Sequence, residues 1–171
     1  KLYSQDVLED GVFLGLPYID QVTGGILPGE VALLGARTGI GKSLLVCFEA
    51  VSWARQGKRV MVVSAEMPAH QLTARMDAML GSFNPRMFRD KSMKSKLQEN
   101  RYNVERELEI IRDNGGDILF PQDSQISIES IVTACRDQKP DVVIIDGLYL
   151  VKSQNNNKNS ASWEQTKGVS N

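Results

Sequence analysis

Apolar positions along this chain gather in short dense runs, separated by stretches where they recur every three or four residues. The dense runs are "EVALLG" (30–35), "KRVMVVSAE" (58–66), "DILFPQD" (117–123) and "DVVIID" (141–146). Short apolar runs bounded by glycine, proline or charge predict strands buried on both faces. The periodic stretches are "KSLLVCFEAVSWARQ" (42–56), "MPAHQLTARMDAML" (67–80), "ENRYNVERELEIIRDNGG" (99–116) and "SIESIVTACRDQKP" (127–140), all predicted helices. Gly57, Gly81, the pair Gly115–Gly116 and Pro140 stop them, and Pro68 suits a first helical position. Pro17 and "TGGILPGE" (23–30) predict a turn-rich lead-in, and residues 82–98 a polar, basic loop or short helix. There is no internal repeat.

Strand and helix alternating in this way predict an α/β fold with a mostly parallel central sheet flanked by helices. Ligands of such sheets bind beyond the carboxyl ends of the strands. The loop at 36–43, Glu66 and Asp146 all fall at that end. The polar tail after Val151, Asn-rich at 154–159, predicts a loop followed by the start of another helix.

Composition narrows the classes. The chain has 171 residues, 42% hydrophobic and 24% charged, which suits one globular domain with a real core. Twenty Lys+Arg against 21 Asp+Glu leave a net charge of -1, so nucleic-acid binding would need a local patch. No apolar stretch approaches the ~20 residues of a membrane helix, no secretion signal is legible, and a cytoplasmic setting is expected. Cys47 and Cys135 fit no zinc or redox spacing and read as small apolar residues. His70 reads as structural. A start on Lys1 rather than Met suggests a piece of a longer or processed chain.

The chemistry begins at "ARTGIGKS". Ala36, Arg37, Thr38, Gly39, Ile40, Gly41, Lys42 and Ser43 form a P-loop (Walker A) pattern with alanine in its first place. Backbone N–H groups of such a loop surround phosphates, lysine adds a point charge on the β/γ oxygens, and serine offers its hydroxyl to Mg²⁺. Strand before and helix after supply the context that the pattern needs. ATP with Mg²⁺ is the expected ligand pair. Arg37 approaches the nucleotide or points to solvent, and the pattern alone does not choose. Asp146 ends a strand as a Walker B carboxylate does, ready to serve the magnesium side; Asp141 at the other end reads as a solvated boundary. Glu66 ends the second strand, where a carboxylate can polarise the water that attacks a γ-phosphate. It can equally favour the N-terminus of the helix starting near Pro68.

"GLPYIDQVTGGILPGEVALLGARTGIGKS", "VMVVSAEMPAHQLTARM" and "PDVVIIDGLYLV" together resemble the ATPase domain of the DnaB-like replicative helicases. These are hexameric rings with a RecA-like core that move along single-stranded DNA. The resemblance runs from about Gly15 onward and includes the "QDS" turn at 122–124. It implies an N-terminal linker segment at 1–14 and a RecA-like ATPase domain at 15–171, incomplete at its C-terminal end. It makes Lys42 and Ser43 the phosphate and magnesium residues, Asp146 the magnesium-side acid, and Glu66 the catalytic base alongside Lys42. It also places 152–160 near the central channel, so that Lys152 and Lys158 could meet DNA phosphates. Its other implications are a homo-oligomeric ring and a primase or loader as partner. Relatives continue into another core strand, a second DNA loop and an arginine finger, so weak hydrolysis by the fragment alone is implied. Gly147 stands where an aromatic residue is commoner in the family.

Weaker features have two readings each. Trp163 could stack on a base or pack on the surface. Arg86, Arg89, Lys91, Lys94 and Lys96 could touch DNA, though a solvated face is the default. Beside the helicase motor stand a RecA/RadA-type recombination ATPase and a non-catalytic nucleotide-gated assembly module. A small-molecule kinase fits less well, because no acceptor pocket or phosphate lid is legible.

Overall fold

The computed structural model describes residues 11–84, 87, 94–121 and 126–152. Its elements are α1 (Pro17–Thr23), α2 (Lys42–Arg55), β1 (Arg59–Ser64), α3 (Ala69–Leu80), α4 (Lys94–Asp113), β2 (Asp117–Leu119), α5 (Ile128–Gln138), β3 (Val142–Asp146) and a 3-10 turn at Leu148–Leu150. The three strands form one parallel sheet in the order β2-β1-β3.

β1 is the centre of the molecule, and its side chains show why. Val60, Met61, Val62 and Val63 are all fully buried. Successive side chains leave a strand on opposite faces. Val60 and Val62 therefore join a cluster with Cys47, Ala50 and Ala54 of α2, Leu72 and Met76 of α3, and Ile111 of α4. Met61 and Val63 meet Ile131 of α5 on the other face. Helices on both faces are what an all-apolar central strand requires.

The helix ends follow local chemistry. Ser127 caps α5 by accepting from the Ser130 N–H at 3.1 Å, while the Ser130 hydroxyl accepts from the Ser127 N–H at 3.0 Å. This reciprocal capping box satisfies two donors that the helix start would otherwise orphan. Pro68 stands just before α3 rather than inside it, and Gly81 follows its last residue. Asp141 is more than a boundary: its carboxylate accepts from the Arg59 N–H at 2.7 Å and so ties the start of β3 to β1.

Two expectations are corrected. Residues 30–35 do not form a strand, and Val31 and Leu33 are 95% and 84% exposed. An apolar run becomes a buried strand only when neighbours provide a hydrogen-bond ladder, and no described strand pairs with this one. The predicted helix at 99–116 begins earlier, at Lys94, and ends at Asp113, leaving the glycines to form the turn into β2. The "QDS" turn at 122–124, Lys158, Trp163, Arg86, Arg89 and Lys91 lie outside the described residues.

A leading segment not read as structured packs against α2. Val12 and Ile26 exchange backbone hydrogen bonds of 2.9 and 2.8 Å, and the Trp53 indole donates to the Phe13 carbonyl at 2.8 Å. Asp20 of α1 accepts from the Leu14 N–H at 2.8 Å. Beneath this segment lies Glu49, only 5% exposed, with neither carboxylate oxygen hydrogen-bonded among the described residues. Burial, reinforced by the Asp20 carboxylate, pushes its carboxyl up to about 7. The folded chain thus keeps a proton that the unfolded chain loses near its ordinary 4.5. More protons bound in the folded state mean that stability is full below about 4.5 and falls as pH rises through about 7. A thermal melt series across this window should show that decline, and Glu49→Gln should remove part of it. Wild-type and variant midpoints that run parallel with pH would sink this account of Glu49.

Candidate nucleotide site

Residues 36–41 form an exposed loop leading into α2. Gly39 and Gly41 take φ values of 80° and 105°, a left-handed backbone that side-chain-bearing residues rarely adopt. This geometry turns the loop outward. None of the N–H groups from Thr38 to Ser43 donates to another backbone group among the described residues. A row of open donors at the start of a 14-residue helix attracts an anion. Lys42 reaches back to donate to the Ala36 carbonyl at 3.0 Å, which holds its ammonium against the loop. Ala36, Arg37, Thr38 and Ile40 are exposed, with Lys42 and Ser43 half-buried.

Asp146 arrives from the sheet. It is 3% exposed, and its Oδ2 has no hydrogen-bond partner among the described residues. A buried carboxylate oxygen left unpaired is costly. Its field is felt at Cys47, whose thiol is pushed up to about 11 by burial and by Asp146, against the opposing charge of Arg75. Cys47 lies one turn beyond Ser43, and residues four apart share a helix face. Asp146 thus lies close enough to the Cys47 turn of α2 for its charge to be felt there. A serine hydroxyl and an acidic oxygen on one side of a phosphate cradle are the donor set a magnesium–nucleotide uses.

Glu66 reaches the same edge through strand pairing. Ser64 pairs with Asp146, and the Ala65 N–H donates to the Asp146 carbonyl at 2.9 Å, one step beyond the strand. The Ser64 hydroxyl then donates to the Met67 carbonyl and closes the turn around Glu66, whose side chain is exposed. Gly147 packs on Glu66, leaving 3.1 Å for a side-chain carbon. The two acidic residues are thus brought together beside α2. Lys152 is exposed and bridges to Ser127 on the α5 side of the sheet, apart from this cluster. Sequence reasoning noted Gly147 as a departure from the family but missed its close approach to Glu66.

Comparison with known proteins agrees with this architecture. The family described as the DnaB-like helicase C terminal domain matches residues 11–170. A solved DnaB-like replicative helicase, described with its interactions with primase, superposes with a TM-score of 0.72 at 22% identity, over 87% of this chain and 36% of that one. The DNA repair protein RadA of Mycobacterium tuberculosis strain H37Rv is 44% identical over 64 residues, 37% of this chain and 13% of that protein. RadA of Campylobacter jejuni is 36% identical over 86 residues, half of this chain and 17% of that protein. The chain thus spans under a fifth of these curated relatives.

If Asp146 is retained for a ligand rather than for folding, Asp146→Asn should not destabilise the protein. Relief of an unpaired buried charge, worth about 1 kcal/mol, corresponds to a rise of about 2–4 °C in melting midpoint at this size. The same variant should lose the magnesium dependence of nucleotide binding. A midpoint several degrees lower would make Asp146 a structural residue. On the match over residues 11–170, the chain belongs to the DnaB-like helicase C-terminal domain family.

Proposed function

We propose that this chain is the ATP-hydrolysing motor part of a DnaB-like helicase, working on single-stranded DNA as part of a homo-oligomeric, hexameric ring. The observation that supports the reading is the β1–β3 register, which brings Glu66 and Asp146 to one edge of the sheet. In this reading the N–H groups of residues 36–43 bind the phosphates of ATP and Lys42 neutralises charge on them. Ser43 and Asp146 would hold Mg²⁺, whose contribution is to screen the phosphate charge. Glu66 orients and deprotonates the attacking water. Exposure at the sheet edge suits that task, since the water must come from solvent. The domain begins near Gly15, after a linker at 1–14. DNA phosphates meet Lys152 and Lys158 after β3, and a primase is the expected partner, by analogy with the solved helicase described with one. A cytoplasmic setting follows from that role.

A RadA-type repair or recombination ATPase is the second reading, favoured by the 36–44% identity to RadA proteins. Both turn over ATP on DNA, and they part at unwinding versus filament formation with strand exchange.

The test is ATP turnover by the full-length protein with and without single-stranded DNA, in wild type and Glu66→Gln. DNA should stimulate turnover strongly. Loss of the base should lower kcat by ~10²- to 10⁴-fold while ATP still binds. Turnover indifferent to DNA and unchanged by the substitution would leave a nucleotide-gated assembly module as the better account.

A further inference from the structure

The chain leaving β3 passes hard against Glu66 at a single glycine. Gly147 takes φ 88° and ψ 44°, a left-handed backbone that residues with side chains rarely adopt. Its carbonyl accepts from the Leu150 N–H at 2.8 Å and closes the 3-10 turn Leu148–Leu150, which fixes the path of departure. A Cβ placed on Gly147 would stand 3.1 Å from both the backbone nitrogen and the Cβ of Glu66, and 3.5 Å from its Cα. At 3.1 Å one of the two segments would have to give by a few tenths of an ångström.

Glu66 has little room to give. The Ala65 N–H donates to the Asp146 carbonyl at 2.9 Å, one step beyond the Ser64–Asp146 pair. The Ser64 hydroxyl donates to the Met67 carbonyl. These bonds hold the residues on either side of Glu66, and Gly147 packs on the residue between them. The Glu66 side chain is exposed, so the place of its carboxylate depends on where its Cβ is held. A base that orients water must keep one geometry, and a misplacement of about 1 Å can cost ~10²-fold in rate.

We propose that Gly147 is a positioning residue for Glu66. Its missing side chain lets the turn after β3 rest on the Glu66 backbone and Cβ, and so sets the point from which the carboxylate reaches the attacking water. This deepens the motor reading and rests on Glu66 being the water-orienting base. Gly147 takes no part in the chemistry itself.

The experiment uses the full-length protein with Gly147→Ala, Gly147→Asn, Glu66→Gln and the double variant Gly147→Ala/Glu66→Gln. DNA-stimulated ATP turnover and melting midpoints are measured for each. Alanine and asparagine add the same Cβ, but asparagine adopts left-handed backbone more readily. Both should lower kcat about threefold to tenfold with the KM for ATP unchanged. Asparagine should melt above alanine, which separates a folding penalty from misplacement of the base. Alanine should cost nothing further once Glu66 is Gln. Wild-type kcat in Gly147→Ala, or kcat restored by asparagine, would overturn the proposal. So would a raised KM with kcat intact, or a full further loss in the Glu66→Gln background, since either makes the glycine merely structural. If Glu66→Gln itself leaves turnover intact, the base reading fails and positioning fails with it. Normal turnover in Gly147→Ala beside an impaired Glu66→Gln sinks positioning alone.

Discussion

Parallel pairing between Arg59–Ser64 and Val142–Asp146 decides where the two carboxylates of the candidate site end up. Because the two strands run in one direction in fixed register, both release their next residues at the same edge. One residue of slip would turn Asp146 to the other face and carry it away from α2. The register is held by burial. Val60, Met61, Val62 and Val63 have no exposed face to slip toward, and the Asp141 carboxylate pins the far end of the pair to the Arg59 N–H. Folding energy spent on an all-apolar central strand thus becomes positional precision for two carboxylates.

Groups that the site employs are poorly satisfied by the fold itself. The loop N–H groups lack backbone acceptors, Asp146 has a buried oxygen without a partner, and Glu66 lies exposed at a strand end. A structure selected for stability alone would pair or remove them. Glu49 shows that an orphaned carboxyl is not by itself a functional sign. It sits beneath the leading segment, far along α2 from the loop, and burial keeps it protonated toward neutral pH. What distinguishes Asp146 is the company it keeps: Cys47 of α2 on one side and, through the strand pairing, Glu66 on the other.

Much of this was legible in the residues. Glycines at 39 and 41 before Lys42 and Ser43 form the pattern expected of a phosphate loop, and the structure gives both glycines the left-handed φ that such a turn uses. The alternation of dense and periodic runs gave the parallel α/β order, since burial on both faces leaves an unbroken apolar strand. Where the reading failed, burial was the missing quantity. "EVALLG" is as apolar as β3, yet hydrophobicity records a preference for cover without saying whether a neighbouring ladder exists, and Val31 and Leu33 stay exposed. Helix α1 was hidden for the opposite reason: it is seven residues long, buries none of them, and is held by Asp20 and by the left-handed Gly24 rather than by an apolar stripe. Glu49 occupies a core-facing place that helical spacing would assign to an apolar residue. The approach of Gly147 to Glu66 joins residues far apart in sequence, and nothing local to either predicts it.

The central claim is that the loop, Ser43 and Asp146 form one magnesium–nucleotide site. Equilibrium binding of a fluorescent ATP analogue, measured with and without Mg²⁺ in wild type and in Ser43→Ala, tests it most directly. The account predicts tight binding that Mg²⁺ strengthens in wild type, and binding that is weaker and largely insensitive to Mg²⁺ once the hydroxyl is gone. Binding equally tight in both proteins, or indifferent to Mg²⁺ in wild type, would contradict it.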